Sequence, residues 1–133
     1  MAKMTAAGLE NTIKFAAGWW STPVDFTDLL LCLYTTGPDA TATTDVELTG
    51  YTPVALGSLS GFSGVGTYPD VSITVVYDVV FDPMPACTLT GWGIKTNEAT
   101  PQVFWYQAYA ATFAAGDRLT FQSGNIILRL HAV

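Results

Sequence analysis

Apolar positions along this chain follow two different periods, and the change between them falls just after Pro23. Between Thr5 and about residue 20, Leu9, Ile13, Ala16 or Ala17, and Trp20 recur at the 3.6-residue spacing of an amphipathic helix. Thr5 offers a capping hydroxyl at its start. Gly8 and Gly18 weaken it, and Pro23 ends it or lies just beyond. From Asp28 onward the spacing becomes that of strands. Leu29 to Tyr34 is apolar at every position, which predicts a central strand covered on both faces. Gln102 to Tyr109 has the same character and predicts a second one.

Between these lie weaker signals. Tyr51 to Leu56 reads as a short strand that Pro53 confines to an edge or a bulge. Gly57 to Gly66 reads as a loop on composition. Ser72 to Phe81 is a strand with Ile73, Val75, Tyr77, Val79 and Phe81 on one face, ended by Pro83 and Pro85. In Cys87 to Lys95 strict alternation puts Cys87 and Leu89 on one face and Trp92 and Ile94 on the other. Gly91 stands at the switch and predicts a β-bulge. Ala115-Gly116-Asp117 is a turn. Leu119 and Phe121 point inward, Thr120 and Gln122 outward, and Ser123-Gly124-Asn125 predicts a closing hairpin before inward-facing Ile126, Leu128 and Leu130. Some six to eight strands without intervening helices predict an antiparallel sandwich or barrel. The expectation is a single domain over 1–133, mainly β. It is an antiparallel jelly-roll-like sandwich over about 28–131, with one N-terminal α-helix over about 5–20.

Composition sharpens this picture. Half of the chain is apolar and 12% is charged, yet the longest unbroken apolar run, Leu29 to Tyr34, is far too short to span a bilayer. So much apolar surface on a short chain belongs in a two-layer core or against another subunit. Five Lys and Arg against eleven Asp and Glu give a net charge of −6, with the basic residues scattered. That argues against nucleic acid, which is held by clustered Lys and Arg, and against an anionic membrane. Lys3, Glu10 and Lys14 interrupt any signal-peptide core, so the expected site of synthesis is the cytoplasm. Cys32 and Cys87 lie in apolar strand-like runs. They read as buried, reduced thiols with neither disulfide nor metal role.

Candidate chemistry is sparse. His131, the one histidine, stands third from the C-terminus, a poor place for a catalytic triad. Gly91 to Thr96 fits no phosphate-binding loop. Asp45 with Glu47, and Asp78 with Asp82, are carboxylate pairs of the kind glycoside hydrolysis uses, although solvated outer faces give the same pattern. The aromatics Trp19, Trp20, Trp92, Phe104, Trp105, Tyr106 and Tyr109 suit a core or a subunit interface better than a sugar platform. Alternation sets Trp105 and Tyr106 on opposite faces. On the helix, Ile13 and Trp20 share the stripe assigned to the sandwich, which leaves Phe15 and Trp19 as a second apolar ridge. Phe15, Trp19 and Trp20 are the candidate interface residues; no catalytic, cofactor or metal residue is assigned.

Four stretches, in order along the chain, resemble a family of small tailed-bacteriophage virion structural proteins of the tail-fibre, minor-tail and capsid-decoration kind. They are Leu9-Glu10-Asn11 with Ile13 followed by Leu31-Cys32-Leu33-Tyr34-Thr35-Thr36-Gly37-Pro38; Glu47 with Gly50-Tyr51; Leu89-Thr90-Gly91-Trp92-Gly93-Ile94; and Ala115 to Ile126. Two departures stand out. The arginine expected shortly after Tyr51 gives way to Thr52 and Pro53, and the glycine pair expected after the Trp-Gly strand to Asn97 to Pro101. The resemblance implies a non-enzymatic virion component without cofactor, first of all a capsid cement or decoration protein. Its partners would be itself, as a homo-oligomer such as a trimer, and the major capsid protein or other virion proteins. A tail or fibre-base component contacting the host is the alternative, and a carbohydrate-binding module a third.

Overall fold

The computed structural model describes residues 2–9, 29–56, 62–64, 70–96 and 101–131. Among them are eleven strands: β1 (Lys3–Met4), β2 (Leu29–Thr36), β3 (Val46–Glu47), β4 (Val54–Ala55), β5 (Phe62–Gly64), β6 (Asp70–Val75), β7 (Val79–Phe81), β8 (Cys87–Thr96), β9 (Val103–Phe113), β10 (Leu119–Phe121) and β11 (Ile127–His131). Every strand pair is antiparallel. The chain is mainly β, as its period-2 alternation predicts.

Residues 70–96 and 101–131 pair as one long antiparallel ribbon that folds over on itself. β8 pairs with β9, β7 with β10, and β6 with β11, in continuous register order. The ribbon crosses between layers at 82–86 and 114–118. There the two connections bond side by side, Met84 N donating to Asp117 O at 2.7 Å and Gly116 N to Met84 O at 2.8 Å. One layer is then β1-β9-β8-β2, with β3 and β4 both on the outer edge of β2. The other holds β10-β7 and β11-β6-β5. A parallel bridge between Ala2 and Leu128 ties the layers along one seam.

The core lies between the layers. Leu29, Leu31 and Leu33 of β2, with Leu89, Trp92 and Ile94 of β8, meet Val75, Val79, Phe81, Leu119, Phe121, Ile126 and Leu128 from the opposite layer. Phe121 is the hub of the aromatic packing, 5.3 Å from Tyr109 and 6.3 Å from both Trp92 and Phe81. Residues on the other face of β2 also find cover. Cys32 and Tyr34 form a second small cluster with Val103. The prediction of a central strand apolar on both faces therefore holds for β2.

Three expectations need correction. The register shift between Leu89 and Gly91 is the predicted bulge. Its one-residue insertion restores the phase, so Cys87, Leu89, Trp92 and Ile94 all pack on the same core instead of opposite faces. Ser123-Gly124-Asn125 is not a closing hairpin: β10 and β11 both run along the ribbon's partner strand, and the turn is a jog opposite residues 76–78. Gly124 N donates to Val75 O and Val75 N to Ile126 O across it. Finally, Phe62–Gly64 is a strand within the predicted loop, held by backbone pairing with β6.

At the N-terminus the structure describes helical residues 6–9, the start of the predicted helix; residues 10–20 lie outside the described residues. Thr5 caps as expected, accepting from Gly8 N at 3.0 Å, and its hydroxyl donates to Val103 O. Gly8 is required by proximity: a Cβ there would lie 2.6 Å from the Phe104 carbonyl oxygen.

Candidate functional site

The densest grouping of polar and titratable side chains lies on the outer edge of β2. β4 pairs with this edge at Leu30 and Leu31, and β3 at Tyr34 and Thr36. Between them the Leu33 amide donates to the Tyr51 hydroxyl at 3.0 Å. That hydroxyl donates to Glu47 Oε1 at 2.6 Å, and Lys95 Nζ, from β8 on the far side of β2, lies 2.6 Å from Glu47 Oε2. The ring of Tyr51 packs on Phe81, 6.0 Å between centroids, which holds the hydroxyl at the sheet edge. Gly50 precedes it with φ +79°, a conformation that side chains other than glycine disfavour.

Burial sets the protonation of this grouping. Cys32 is fully buried, and loss of solvent, helped by the Glu47 charge, pushes its thiol up to about 12. Burial first, then the charges of Cys32 and Glu47, raises Tyr34 as well. Tyr51 is raised by burial above all. Burial works against the Lys95 ammonium, but its bond to Glu47 outweighs this and raises its pKa. All four favour their protonated forms, so the arrangement is a neutral thiol and two neutral phenols around one half-buried ion pair. Such groups hold strands together. A nucleophile or general base at neutral pH needs the opposite shift.

The stretches that carry the phage resemblance converge on neighbouring positions. Gly37 O lies over Gly91 and also accepts the Thr90 hydroxyl at 3.0 Å. The Tyr34 ring covers Gly93, where a Cβ would stand 3.1 Å from Cε2. Glu47 and Tyr51 bond to each other, and Asp117, in the fourth stretch, ties the two layer crossings. The spacing Glu47…Tyr51 is the sequence signal that links members of the edge grouping; Cys32 reads only as a buried thiol within the first stretch, and Lys95 carries no signal.

The other candidates separate. Phe15, Trp19 and Trp20 lie outside the described residues. Trp92, Phe104 and Trp105 are buried and Tyr109 packs tilted against Phe121, so these four form no exposed sugar platform. Tyr106 is half-buried on the face opposite Trp105. Three of the four paired carboxylates have structural partners: Asp82 meets Arg118 at 2.9 Å, Asp78 accepts from Ser123 N at 2.8 Å, and Glu47 is held by Tyr51 and Lys95. His131 is not at a loose end in the backbone, because it pairs with Asp70 in β11. Both cysteines are free, but Cys87 is half-buried where burial was expected, since it sits at the end of β8 beside the layer crossing. Among the described residues no three His, Cys, Asp or Glu side chains gather as a metal set. A cleft of about 360 Å³ lies between β4 and β7, lined by Tyr51, Pro53, Val54, Val80, Asp82 and Pro83 among others.

No family model, curated protein or solved structure matches this chain.

Proposed function

We propose that this chain is a non-enzymatic structural protein of a tailed-phage virion, and in the first instance a cement or decoration protein that binds the outer shell as an oligomer. The observation that carries the reading is where the resembling stretches fall. Glu47 with Tyr51, Gly91 under the turn after β2, Gly93 under the Tyr34 ring, and Asp117 at the layer crossing are all joints of the sandwich. Residues shared for their geometry mark a shared frame, and the resemblance supplies the virion setting for that frame. The polar side chains grouped on the β2 edge are likewise committed to holding strands together, in keeping with a protein whose work is to be a rigid block.

The alternative within the same class is a tail or fibre-base protein. Copy number and position decide. Purified virions carrying the protein would be imaged by cryo-electron microscopy and its copies counted by quantitative mass spectrometry. Many copies spread over the shell are expected for a cement protein. A few copies at the tail would select the alternative. Absence from particles would overturn both.

A further inference from the structure

β9 pairs with β8 from end to end, but its outer edge is covered at one end only. There Lys3 and Met4 of β1 add antiparallel to Tyr106 and Trp105. Ala2, just before them, belongs to the opposite layer, where its amide donates to Ile127 O at 3.1 Å. Among the described residues no strand pairs with the outer edge from Gln107 to Phe113. Gly8 and Leu29, close to the two ends of 10–28, sit at the other end of this layer, beside Phe104 and opposite Thr96. Along the open edge exposure alternates. Ala108, Ala110 and Thr112 are exposed on the outer face, whereas Tyr109 and Phe113 are half-buried against the core. The register shift against β8 opposite Thr90 does not break this alternation.

We propose that the β9 edge at 107–113 is a self-association site, where a second copy of the chain adds its own β9 antiparallel and the two large sheets join about a two-fold axis. A strand edge presents a row of N–H and C=O groups, and proteins that stay monomeric guard it with charge, proline or cover. Residues 107–113 contain neither a charged residue nor a proline. β1 shows that this edge takes an antiparallel strand, and a second strand set end to end with β1 continues the same ladder. β9 is also its own complement, as a symmetric contact requires. Antiparallel pairing about Ala110 sets outer face against outer face, Ala110 on Ala110 and Ala108 on Thr112, all small. On the core side each Tyr109 lies against Ala111 of the second copy, large beside small, and the half-buried rings gain cover. Charge fits as well. Each chain carries −6, but none of it stands on this edge. In the same register Phe113 meets Gln107, and Lys3 pairs with the next residue, Tyr106. Asp117, in the turn after Phe113, is thus brought toward the exposed Lys3 of the second copy at both ends of the joint. This inference concerns the free chain and does not rest on the virion reading.

Light scattering over a concentration series measures the association, and amide hydrogen exchange locates it. The native chain should dimerise, and exchange at 107–113 should slow as concentration rises while exchange in β6 and β11 does not change. Ala110 is exposed, so a long side chain there has room in the single chain. Ala110→Lys and Ala110→Glu each oppose like charges at the two-fold axis and should weaken association several-fold to about tenfold. Mixed in equal amounts, the two variants set Lys against Glu, and association should recover. Recovery also shows that both variants fold. A native chain that stays monomeric throughout the series overturns the proposal, as does exchange at 107–113 that ignores concentration. Variants that associate as the native chain does, or a mixture that fails to recover, overturn it equally.

Discussion

The carbonyl oxygen of Gly37 stands directly over Gly91, so near that a Cβ on Gly91 would lie 2.6 Å from it. The turn leaving β2 is thereby seated on the bulge of β8, and Gln107 O closes the other side at 2.8 Å. Both obstacles are backbone and cannot rotate away. Gly91→Ala is expected to cost about 1–3 kcal/mol, the range of an overpacked site, in denaturant unfolding. Gly116→Ala is the control. It meets nothing within 4 Å and pays only for its φ of +90°, about 1–2 kcal/mol for a side chain in that region. An alanine at 91 that cost nothing would mean the turn is not seated as described.

Trp105 is 8% exposed, and its indole Nε1 is a buried donor without a partner among the described residues. Two substitutions separate its bulk from its polarity. Trp105→Ala should cost about 3–5 kcal/mol, as large aromatics removed from a core do. Trp105→Phe keeps much of the packing and deletes the unpaired N–H, a group whose burial itself costs about 1–3 kcal/mol. It should therefore be far milder than alanine. Equal losses from the two variants, measured by denaturant unfolding, would show that Nε1 finds a partner.

The two thiols should differ in reactivity. Cys32 is fully buried with its pKa pushed up to about 12, whereas Cys87 is half-buried with a smaller upward displacement caused by burial. A thiol reagent at mildly alkaline pH should modify Cys87 in the native chain and reach Cys32 only on unfolding. Peptide mapping of the labelled protein checks this, and prompt labelling of Cys32 would contradict its burial.

Where two layers press on each other, alternation in the sequence was enough. Leu119 and Phe121 point inward and Thr120 outward as predicted, because a strand with one solvent face has no other way to sort them. The failures have equally local causes. Phe62–Gly64 is an edge strand defined by backbone bonds, and its Ser and Gly carry no pattern to read. A Ser-Gly-Asn turn signal marks a jog within a ribbon as readily as a reversal, and only the pairing of β10 with β7 and β11 with β6 tells them apart. Alternation alone puts Leu89 and Trp92 on opposite faces, and the bulge that Gly91 signals absorbs the extra residue and returns them to one side. The Tyr51–Glu47–Lys95 chain joins three separate segments, so only its four-residue Glu47–Tyr51 spacing was visible in the sequence.

Alkaline stability follows from the same edge. In the folded chain Cys32 rises from 9.0 to about 12, and Tyr34 and Tyr51 rise above their ordinary 10.0 through burial. Raised pKa values mean that the folded state holds protons which the unfolded chain has already released. Stability is then fully present below about pH 9 and falls as pH climbs toward the folded values. The melting temperature should hold level through neutral pH and drop steadily above pH 9. Cys32→Ala removes the more strongly displaced of the two thiols and leaves Cys87, so the decline between pH 9 and 10 should become shallower and steepen only above pH 10, where the tyrosines take over. A melting temperature that stays flat to pH 11 would mean that these side chains reach solvent, and the buried edge described for β2 would be wrong.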